Sequence, residues 1–445
     1  MSVQADIHHN LNFKNSLEFA QMMDDKDALA SFQSQFTIPQ MSSSNFSDSQ
    51  SHQQKNEIYF CGNSLGLMPE KSRQYVEEEL IKWGHYGVKG HFESEHPWMP
   101  YHEFLARPMA NIVGAEENEV VCMNSLTTNL HLMMVSFYRP TKKRFKILIE
   151  DHAFPSDTYA VASQLKFHGY SPEDAMIKIA PRTGEELIRE QDIQHLIEQA
   201  GDEIALILLP GVQYYTGQVF PMEKITQWGH NKGCMVGFDL AHAAGNIEMQ
   251  LHQWQVDFAC WCHYKYLNSG PGAIAGCFVH EKHHRENLPR FSGWWGHDKT
   301  TRFKMGSEFH PIPSAEAWQL SNPPILSLAS IRGALDTVIE AGGMPALRKK
   351  SMLLTGYLEF LLLDTLADKI HIITPENKQQ RGCQLSLTIA TDTHSGKDIF
   401  QRIENAGVTA DWREPNVIRI APVPLYNSFS DVYQFVDILS KSLKA

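Results

Sequence analysis

The sequence predicts an α/β protein: a large domain with a mostly parallel central sheet, followed by a smaller α+β domain at the C-terminal end. The first observation is a series of near-continuous apolar runs that alternate with helical patterns, which is typical of a parallel sheet covered by helices. The second is a change of pattern after residue 325, where long helices precede a strictly alternating strand. With 445 residues, of which 42% are apolar, the chain is long enough for two cores.

The large domain is predicted to span residues 57–325. Its buried strands are expected at residues 145–151, 204–210, 234–240 and 257–262. A helix is predicted where four apolar residues recur at helical spacing, namely Leu126, Leu130, Met134 and Phe137. Either Asn124 or Ser125 is expected to cap the start of that helix.

The small domain is predicted to span residues 326–445. A helix is predicted within residues 325–343, a stretch that ends on glycines, and a second helix follows through residues 351–366. Residues 383–389 alternate between apolar and polar, which predicts a strand with one buried face. A hairpin is expected to turn at Glu414-Pro415-Asn416, and a last helix to begin near Asp431.

Residues 1–56 are predicted to form a separate N-terminal segment. Within it, residues 41–56 are rich in Ser and Gln, which is typical of a flexible insertion.

Composition and charge argue against several classes of function. A net charge of -12 and a sequence pI of about 6.0 do not fit bulk nucleic-acid binding. No run of ~18 apolar residues and no apolar leader is visible, so we expect neither a membrane span nor secretion. The 7 cysteines lie scattered in apolar runs, which favours a reduced, cytoplasmic chain. The pairs His8-His9 and His283-His284 are expected at the surface, and no metal site is predicted.

The stretch WCHYKYLNSG places Lys265 between two tyrosines, just after an apolar strand. An amine in an apolar pocket has a lowered pKa and becomes a nucleophile that forms a Schiff base. The alternative is a lysine that extends from the strand end into water. Taken alone, this stretch favours the second interpretation.

Asp239 ends the predicted strand 234–240, where an unpaired charge would be costly. His242 follows three residues later, and Lys265 lies one strand further on. The C-terminal ends of parallel strands bracket ligand crevices. A carboxylate there can keep a pyridinium nitrogen protonated while a lysine holds an aldehyde carbon, and these are the two ends of pyridoxal phosphate (PLP). The alternative is a helix-capping aspartate beside a core histidine.

Two further motifs fit a phosphorylated, planar cofactor. Thr127 falls in the first turn of the predicted helix, where free N–H groups and a hydroxyl hold an anion. In HAFPSDTYA, Phe154 is placed to stack on a planar ring and Asp157 to hydrogen-bond it. The alternatives are an ordinary capped helix and a turn in which Asp157 caps the next helix.

These motifs occur together and in order, and the sequence resembles the kynureninase family. The match spans residues 57–440 and includes YFCGNSLGLMP, MNSLTTNLHL, AFPSD, FDLAHAAGN, ACWCHYKYLNSGPG, GWWGH, LSNPPIL and VIRIAPVPLYNSF. The resemblance implies the fold-type-I PLP-enzyme architecture, similar to aspartate aminotransferase, and a homodimer with shared active sites. It implies hydrolysis of L-kynurenine or 3-hydroxy-L-kynurenine to an anthranilate and alanine, in tryptophan catabolism.

The resemblance also implies roles for individual residues. Lys265 would carry PLP as a Schiff base, Asp239 would pair with the ring nitrogen, and Tyr264 would relay protons. Cofactor contacts are implied for Leu126, Thr127, Phe154, Pro155, Ser156, Asp157, His242, Tyr264, Trp294 and Asn322. Substrate contacts are implied for Ser64, His91, Asn322 and Arg419.

Two of these positions need comment from the residues themselves. The planar guanidinium of Arg419 suits the substrate α-carboxylate, although spacing alone fits a solvated strand arginine equally well. Pro210 stands where relatives can carry a phosphate-binding serine, and because proline has neither a hydroxyl nor an N–H, that contact is not expected.

Other classes of protein remain open at this point. Another PLP enzyme of the same fold, such as an aminotransferase or a cysteine desulfurase, would share the motifs. A desulfurase needs an exposed cysteine loop, whereas Cys383 lies on the apolar face of a predicted strand. A non-catalytic scaffold would use the aromatic residues as core. A dinucleotide enzyme fits less well, because the glycines of residues 270–276 lead into a strand and not into a helix.

Overall fold

The computed structural model describes residues 12–41, 55–390 and 395–444. Its α-helices are α1 (Leu17–Asp25), α2 (Glu70–Tyr86), α3 (Ala106–Val113), α4 (Leu126–Phe137), α5 (Pro155–Phe167), α6 (Pro172–Ala175), α7 (Glu190–Ala200), α8 (Met222–Asn231), α9 (Ile325–Glu340), α10 (Gly343–Leu366), α11 (Gly396–Asn405) and α12 (Phe429–Ser442). Its strands are β1 (Phe36–Thr37), β2 (Ile58–Tyr59), β3 (Met68–Pro69), β4 (Val120–Cys122), β5 (Lys146–Glu150), β6 (Met176–Ile179), β7 (Ile204–Pro210), β8 (Met235–Asp239), β9 (Phe258–Cys262), β10 (Ala275–Val279), β11 (Ile370–Ile372), β12 (Leu385–Ile389), β13 (Val408–Thr409), β14 (Asp411–Arg413) and β15 (Val417–Ile420).

A seven-stranded sheet, in the order β4-β10-β9-β8-β7-β5-β6, forms the centre of the larger of two compact units. Strand β10 runs antiparallel to both of its neighbours, and the pairs from β9 to β6 are all parallel. The predicted mostly parallel sheet is therefore confirmed. Because parallel strands end at the same edge, Glu150 and Asp239 lie at one edge, and Lys265 follows β9 there.

The predicted strands of this sheet are confirmed to within one residue at each end. Nearly all of their residues are buried, because helices cover both faces and the side chains need no polar alternation. In the core, the ring of Phe137 from α4 stacks on Phe258 from β9, with centroids 5.0 Å apart. Trp318 adds a hydrogen bond from Nε1 to Ser136 Oγ at 2.9 Å. Burying each such large side chain contributes about 1.5–3 kcal/mol.

The smaller unit is built on an antiparallel sheet with the order β11-β12-β15-β14. The predicted hairpin is confirmed, since β14 and β15 pair across residues 414–416. The last helix, α12, begins slightly earlier than predicted, because Ser428 caps it by accepting from the Asp431 N–H. Strand β13 pairs in parallel with β2 in the same unit.

The prediction that β12 and its flank have one buried face is wrong. Gln384 and Ser386, on the polar face, are as buried as their apolar neighbours. Their polar groups are hydrogen-bonded to each other, since Gln384 Nε2 donates to Ser386 Oγ at 3.0 Å. The alternation of apolar and polar residues shows which side chains are polar, but in this strand it does not show which side chains are exposed to solvent.

The compact units do not follow the boundaries expected at residues 57 and 325. The larger unit holds Gly62–Arg348 and Thr374–Gly382, and the smaller holds the described residues up to Cys61, then Lys349–Ile373 and those from Cys383 onward. The segment 374–382 joins the larger unit through hydrogen bonds. Thr374 Oγ1 donates to the Thr216 carbonyl at 2.6 Å, and the Val219 N–H donates to the Gln380 carbonyl at 2.9 Å.

Most of the predicted insertion at residues 41–56 lies outside the described residues, as does His8-His9. At its described ends, the Met41 N–H donates to the Lys55 carbonyl at 2.9 Å. Among the described residues, no helix combines the length and the apolar character that crossing a bilayer requires.

Candidate active site

Lys265 lies three residues beyond β9, on a turn that hydrogen bonds fix from both sides. The Asn268 N–H donates to the Lys265 carbonyl, and the Ser269 N–H donates to the His263 carbonyl, both at 3.0 Å. His263 is buried, and its Nδ1 donates to the Ile274 carbonyl at 2.7 Å while its Nε2 accepts from Trp261 Nε1 at 3.2 Å. Burial lowers the pKa of His263 to about 4, so the ring is a neutral structural element. The turn of residues 263–269 is therefore fixed by hydrogen bonds, and we call it the lysine mount.

The Lys265 amine points to His242. Its Nζ lies 2.9 Å from His242 Nε2, and the lysine is half-buried. An ammonium has no acceptor, so the imidazole accepts through Nε2 whenever Lys265 is charged. The alternative of a lysine extending freely into water is wrong for this structure.

Two buried carboxyl groups face each other near this amine. Asp239, the last residue of β8, accepts from the Ala241 N–H at 2.6 Å through Oδ1. Asp157 lies in the first turn of α5, and burial, the charge of Asp239 and a hydrogen bond to it raise the pKa of Asp157 well above its usual value. Lys265 opposes this rise. A pair of buried acids needs a cation between or beside them, and the protonated nitrogen of a heteroaromatic ring meets that need.

The turn before α5 presents an aromatic ring. Phe154 is 47% exposed, and its ring meets Tyr214 edge-on with centroids 5.4 Å apart. The Tyr214 ring lies 6.5 Å from that of His242. The helix cap is Phe154, not Asp157, which removes the alternative role of Asp157 as a cap. An exposed ring beside the paired acids is suited to stacking on a planar cofactor.

The N-termini of two helices meet at a pair of hydroxyl groups. Thr127, in the first turn of α4, and Ser156, in the first turn of α5, have their Oγ atoms 2.8 Å apart. Ser125 occupies the N-cap position of α4, one of the two positions predicted, but its side chain makes no cap hydrogen bond and bonds to Thr128 Oγ1 at 2.9 Å instead. Pro155 occupies the first position of α5, where its missing N–H costs nothing. Two helix N-termini with two hydroxyls are suited to binding an anion, and the phosphate contact of Thr127 and Ser156 stays a prediction.

The loop of residues 62–66 packs on the Lys265 turn. The Gly66 N–H donates to the Tyr264 carbonyl at 2.8 Å. A Cβ at Gly66 would lie 2.2 Å from Asn268 Oδ1 and 2.3 Å from the Lys265 carbonyl oxygen, so only glycine allows this approach. The contact places half-buried Ser64 on a loop that is joined to the lysine mount. Burial raises the pKa of Tyr264, so its phenol stays protonated and can donate.

Three further predicted site residues lie on other segments of the chain. His91 is half-buried, with Nδ1 3.0 Å from the Val88 carbonyl and its ring against Trp98. Trp294 is 42% exposed and Asn322 is exposed, on two segments joined by the hydrogen bond from the Trp295 N–H to the Leu320 carbonyl.

Arg419 belongs to the smaller unit, in the middle of β15. It is only 1% exposed, its Nε donates to Asp411 Oδ1 at 3.0 Å, and its Nη2 forms an ion pair with the same oxygen at 2.8 Å. The alternative of a solvated arginine is therefore wrong, while its contact with a substrate stays a prediction.

The expectation that His283 and His284 lie at the surface is wrong. Both are buried, because His283 Nε2 pairs with Asp257 Oδ1 at 2.9 Å and His284 Nε2 lies 2.9 Å from the Val279 carbonyl. The charged sequence EKHHRE looks exposed locally, yet it covers a buried acid 26 residues away.

Two clusters within the described residues bring potential metal ligands together: Glu119 with His252 and His280, and His102 with Glu103 and Glu316. In the first, the Glu119 oxygens accept from the N–H groups of Glu116 and Glu281, and His280 Nδ1 accepts from the Lys282 N–H. In the second, the Lys299 ammonium already bridges the two carboxylates. Both are accounted for as polar networks, and the absence of a metal site stays a prediction.

Glu150 and Gln213 belong to the site, and the sequence reasoning missed them. Glu150 ends β5 at the same edge as Asp239 and is 3% exposed, and Gln213 Nε2 donates to its carboxyl at 3.2 Å. The sequence did contain a signal for Glu150, because it is an acid at the end of an apolar strand, and the same feature identified Asp239.

Solved structures similar to this chain show its fold. A cysteine desulfurase from Thermococcus onnurineus NA1 superposes with a TM-score of 0.71 at 16% identity, over 87% of this chain and 95% of that one. The cysteine desulfurase CsdA from Escherichia coli gives a TM-score of 0.71 at 14% identity, over 93% and 98%. At such low identity these likenesses establish the fold-type-I architecture and nothing about the reaction.

Curated relatives are far more similar in sequence. The kynureninase of Flavobacterium psychrophilum is 52% identical over 435 residues, covering 97% of this chain and 99% of that protein. The kynureninase of Koribacter versatilis is 52% identical over 425 residues, and that of Nematostella vectensis is 48% identical over 442. The family model described as the kynureninase C-terminal domain matches residues 347–439. The chain therefore belongs to the kynureninase family.

Proposed function

We propose that this chain is a PLP-dependent hydrolase that cleaves the Cβ–Cγ bond of L-kynurenine, 3-hydroxy-L-kynurenine or both. The products are anthranilate or 3-hydroxyanthranilate, together with L-alanine. The observation that carries the proposal is the Lys265 amine, held 2.9 Å from His242 on a rigid turn beside the buried acids Asp239 and Asp157. The extent of identity to curated kynureninases supports the same reaction.

The residues present fit PLP at each of its functional groups. The paired acids suit a protonated ring nitrogen, exposed Phe154 suits the ring face, and the Thr127–Ser156 hydroxyls suit the phosphate. The chemistry that PLP supplies when bound is an aldehyde that condenses with amines and a ring that accepts electrons from the substrate α-carbon.

The chain's own groups then bind substrate and move protons. The Lys265 amine would remove the proton from the substrate α-carbon, and His242 would orient that amine through its Nε2. Tyr264, whose phenol burial keeps protonated, would donate its proton to the substrate β-carbon when the Cβ–Cγ bond breaks. A water molecule adds to the γ-carbonyl of the substrate. Arg419 grips the α-carboxylate, as the family resemblance implies.

Several finer parts of the proposal rest on the family resemblance alone. Ser64, His91 and Asn322 complete the substrate pocket, and Trp294 and Asn322 act in a homodimer with shared active sites. The enzyme works in the cytoplasm. We do not favour a desulfurase, because Cys61 is half-buried and the other cysteines, all at described positions, are buried.

The experiment is turnover of both substrates side by side, followed as release of the fluorescent anthranilates. Wild type is expected to cleave at least one, and Lys265→Ala to lose the activity by a factor of about 10³ or more, since the nucleophile and base is removed. Near-normal turnover by Lys265→Ala would overturn the assignment.

A further inference from the structure

We propose that Glu150 is a positioning residue of this site: through the amide of Gln213 it fixes the two loops that carry Phe154 and Tyr214. We call the pair the Glu150–Gln213 clip. The inference deepens the proposed function and rests on it, because the loops matter only if a planar cofactor binds between them.

The amide of Gln213 has one possible orientation. Its Oε1 accepts from the Thr216 N–H at 2.7 Å and from the Tyr215 N–H, so its Nε2 must face the other way. That Nε2 donates to Glu150 at 3.2 Å and to the His152 carbonyl at 3.3 Å. The clip therefore joins the end of β5 to the loop after β7 through the two hydrogen bonds of Nε2, while Oε1 fixes the Gln213 side chain to its own loop.

The joined loops carry the aromatic contacts of the site. Phe154 follows two residues after His152, and Tyr214 follows directly after Gln213. The two rings meet edge-on at 5.4 Å, and Tyr214 lies 6.5 Å from His242, the partner of Lys265. Releasing the clip would free both rings from the geometry that leaves the face of Phe154 open.

The protonation state of Glu150 also decides whether a further negative charge lies near the acid pair Asp157 and Asp239. Its donors, Gln213 and the His152 backbone, are neutral, and burial together with the charge of Asp151 raises its pKa to about 7. Protonated Glu150 still accepts from Gln213 through its carbonyl oxygen, so the clip persists in both states. Ionised Glu150 adds a negative charge that raises the pKa of Asp157, which links the clip to the groups that face a ring nitrogen.

The test is PLP binding to the apoprotein, measured by fluorescence titration between about pH 6 and pH 8. Glu150→Ala and Gln213→Ala should each weaken binding by about tenfold to a hundredfold, because each leaves a buried polar group unsatisfied. The double variant should bind no more weakly than the weaker single variant, since both remove one interaction. Glu150→Gln keeps an acceptor for Gln213 and should bind within about threefold of wild type at the low end of the range.

The pH profile separates positioning from simple packing. The step near pH 7 that Glu150 contributes to PLP affinity should vanish in Glu150→Gln. In Asp151→Asn, whose part-exposed carboxylate pairs with Lys178, the step should remain but move to lower pH, because the charge of Asp151 helps to raise the pKa of Glu150. Wild-type affinity in Glu150→Ala or additive losses in the double variant would overturn the clip, and an unchanged profile in Glu150→Gln would overturn its link through charge to Asp157. A wild type that binds PLP but cleaves no kynurenine would overturn the proposed function and leave the clip intact.

Discussion

Replacing Asp157 by Asn should make the apoprotein more stable and the binding of PLP weaker. Asp157 and Asp239 are both buried and share a hydrogen bond, and the pKa of Asp157 is raised in consequence. In the absence of a cationic ring, the pair costs stability that binding later recovers. Asn at position 157 keeps the shape and a hydrogen bond to Asp239 while it removes one charge.

The size of the effect follows from three terms. Two charges at about 4 Å interact with about 4 kcal/mol at an effective dielectric constant of about 20, which is the upper bound for the relief. The wild-type protein already reduces this repulsion by taking up a proton. In addition, the carboxylate of Asp157 in the first turn of α5 gains about 0.3–1 kcal/mol from the helix dipole, and Asn loses that gain. The net gain at neutral to alkaline pH is therefore about 1–2 kcal/mol, or a few degrees in Tm.

The sign with pH also follows. The folded-state pKa of Asp157 lies above its unfolded value, so the folded chain binds this proton more tightly than the unfolded chain does. The loss of stability caused by the Asp157 carboxylate is absent below the pKa of Asp157 in the unfolded chain, and it grows as pH rises toward the pKa of Asp157 in the folded chain. The stability advantage of Asp157→Asn should therefore grow between about pH 5 and pH 8.

Denaturant unfolding of the apoproteins at both pH values, with PLP titration at the upper one, measures both halves of this prediction. Asp151→Asn, which is part-exposed and directly follows β5, serves as the control. An apo Asp157→Asn that is less stable than wild type at about pH 8, or that binds PLP with unchanged affinity, would refute the reasoning.

Two other predictions concern the anion site and the opposite edge of the sheet. Thr127→Ala combined with Ser156→Ala should weaken PLP binding by about tenfold or more, because two hydroxyls at the helix N-termini are lost. The control Thr128→Ala, at an exposed position, should change PLP binding little. Equal PLP affinities in all of these variants would contradict a phosphate at this place. Asp257→Asn should destabilise the fold by about 3–5 kcal/mol in denaturant unfolding, because the buried carboxylate accepts from a backbone N–H and pairs with two imidazoles and an ammonium. The pKa of Asp257 is lowered by these partners, so its contribution should be complete above the unfolded pKa of about 4 and decline only in strong acid, and a midpoint like that of wild type would exclude it.

The sequence predicted most of the sheet and the lysine mount, because both depend on local patterns. Apolar runs that end in Asp239 or lead into Lys265 report burial and strand ends directly. The sequence did not predict that His283 is buried, because its partner Asp257 lies 26 residues away. Nor did it identify Glu150, whose importance comes from the amide of Gln213 on another strand's loop. Pairings across the sheet leave no periodic signal in one sequence, so they had to be read from the structure.

The central claim is that Lys265 is the residue that bears the cofactor, and borohydride reduction tests it most directly. PLP-loaded protein is reduced, digested and mapped by mass spectrometry for the pyridoxyl group. The account predicts loss of the yellow colour and one modified peptide, with the added mass on Lys265. A pyridoxyl group on a different lysine, or a protein that takes up PLP and retains no label after reduction, would contradict it.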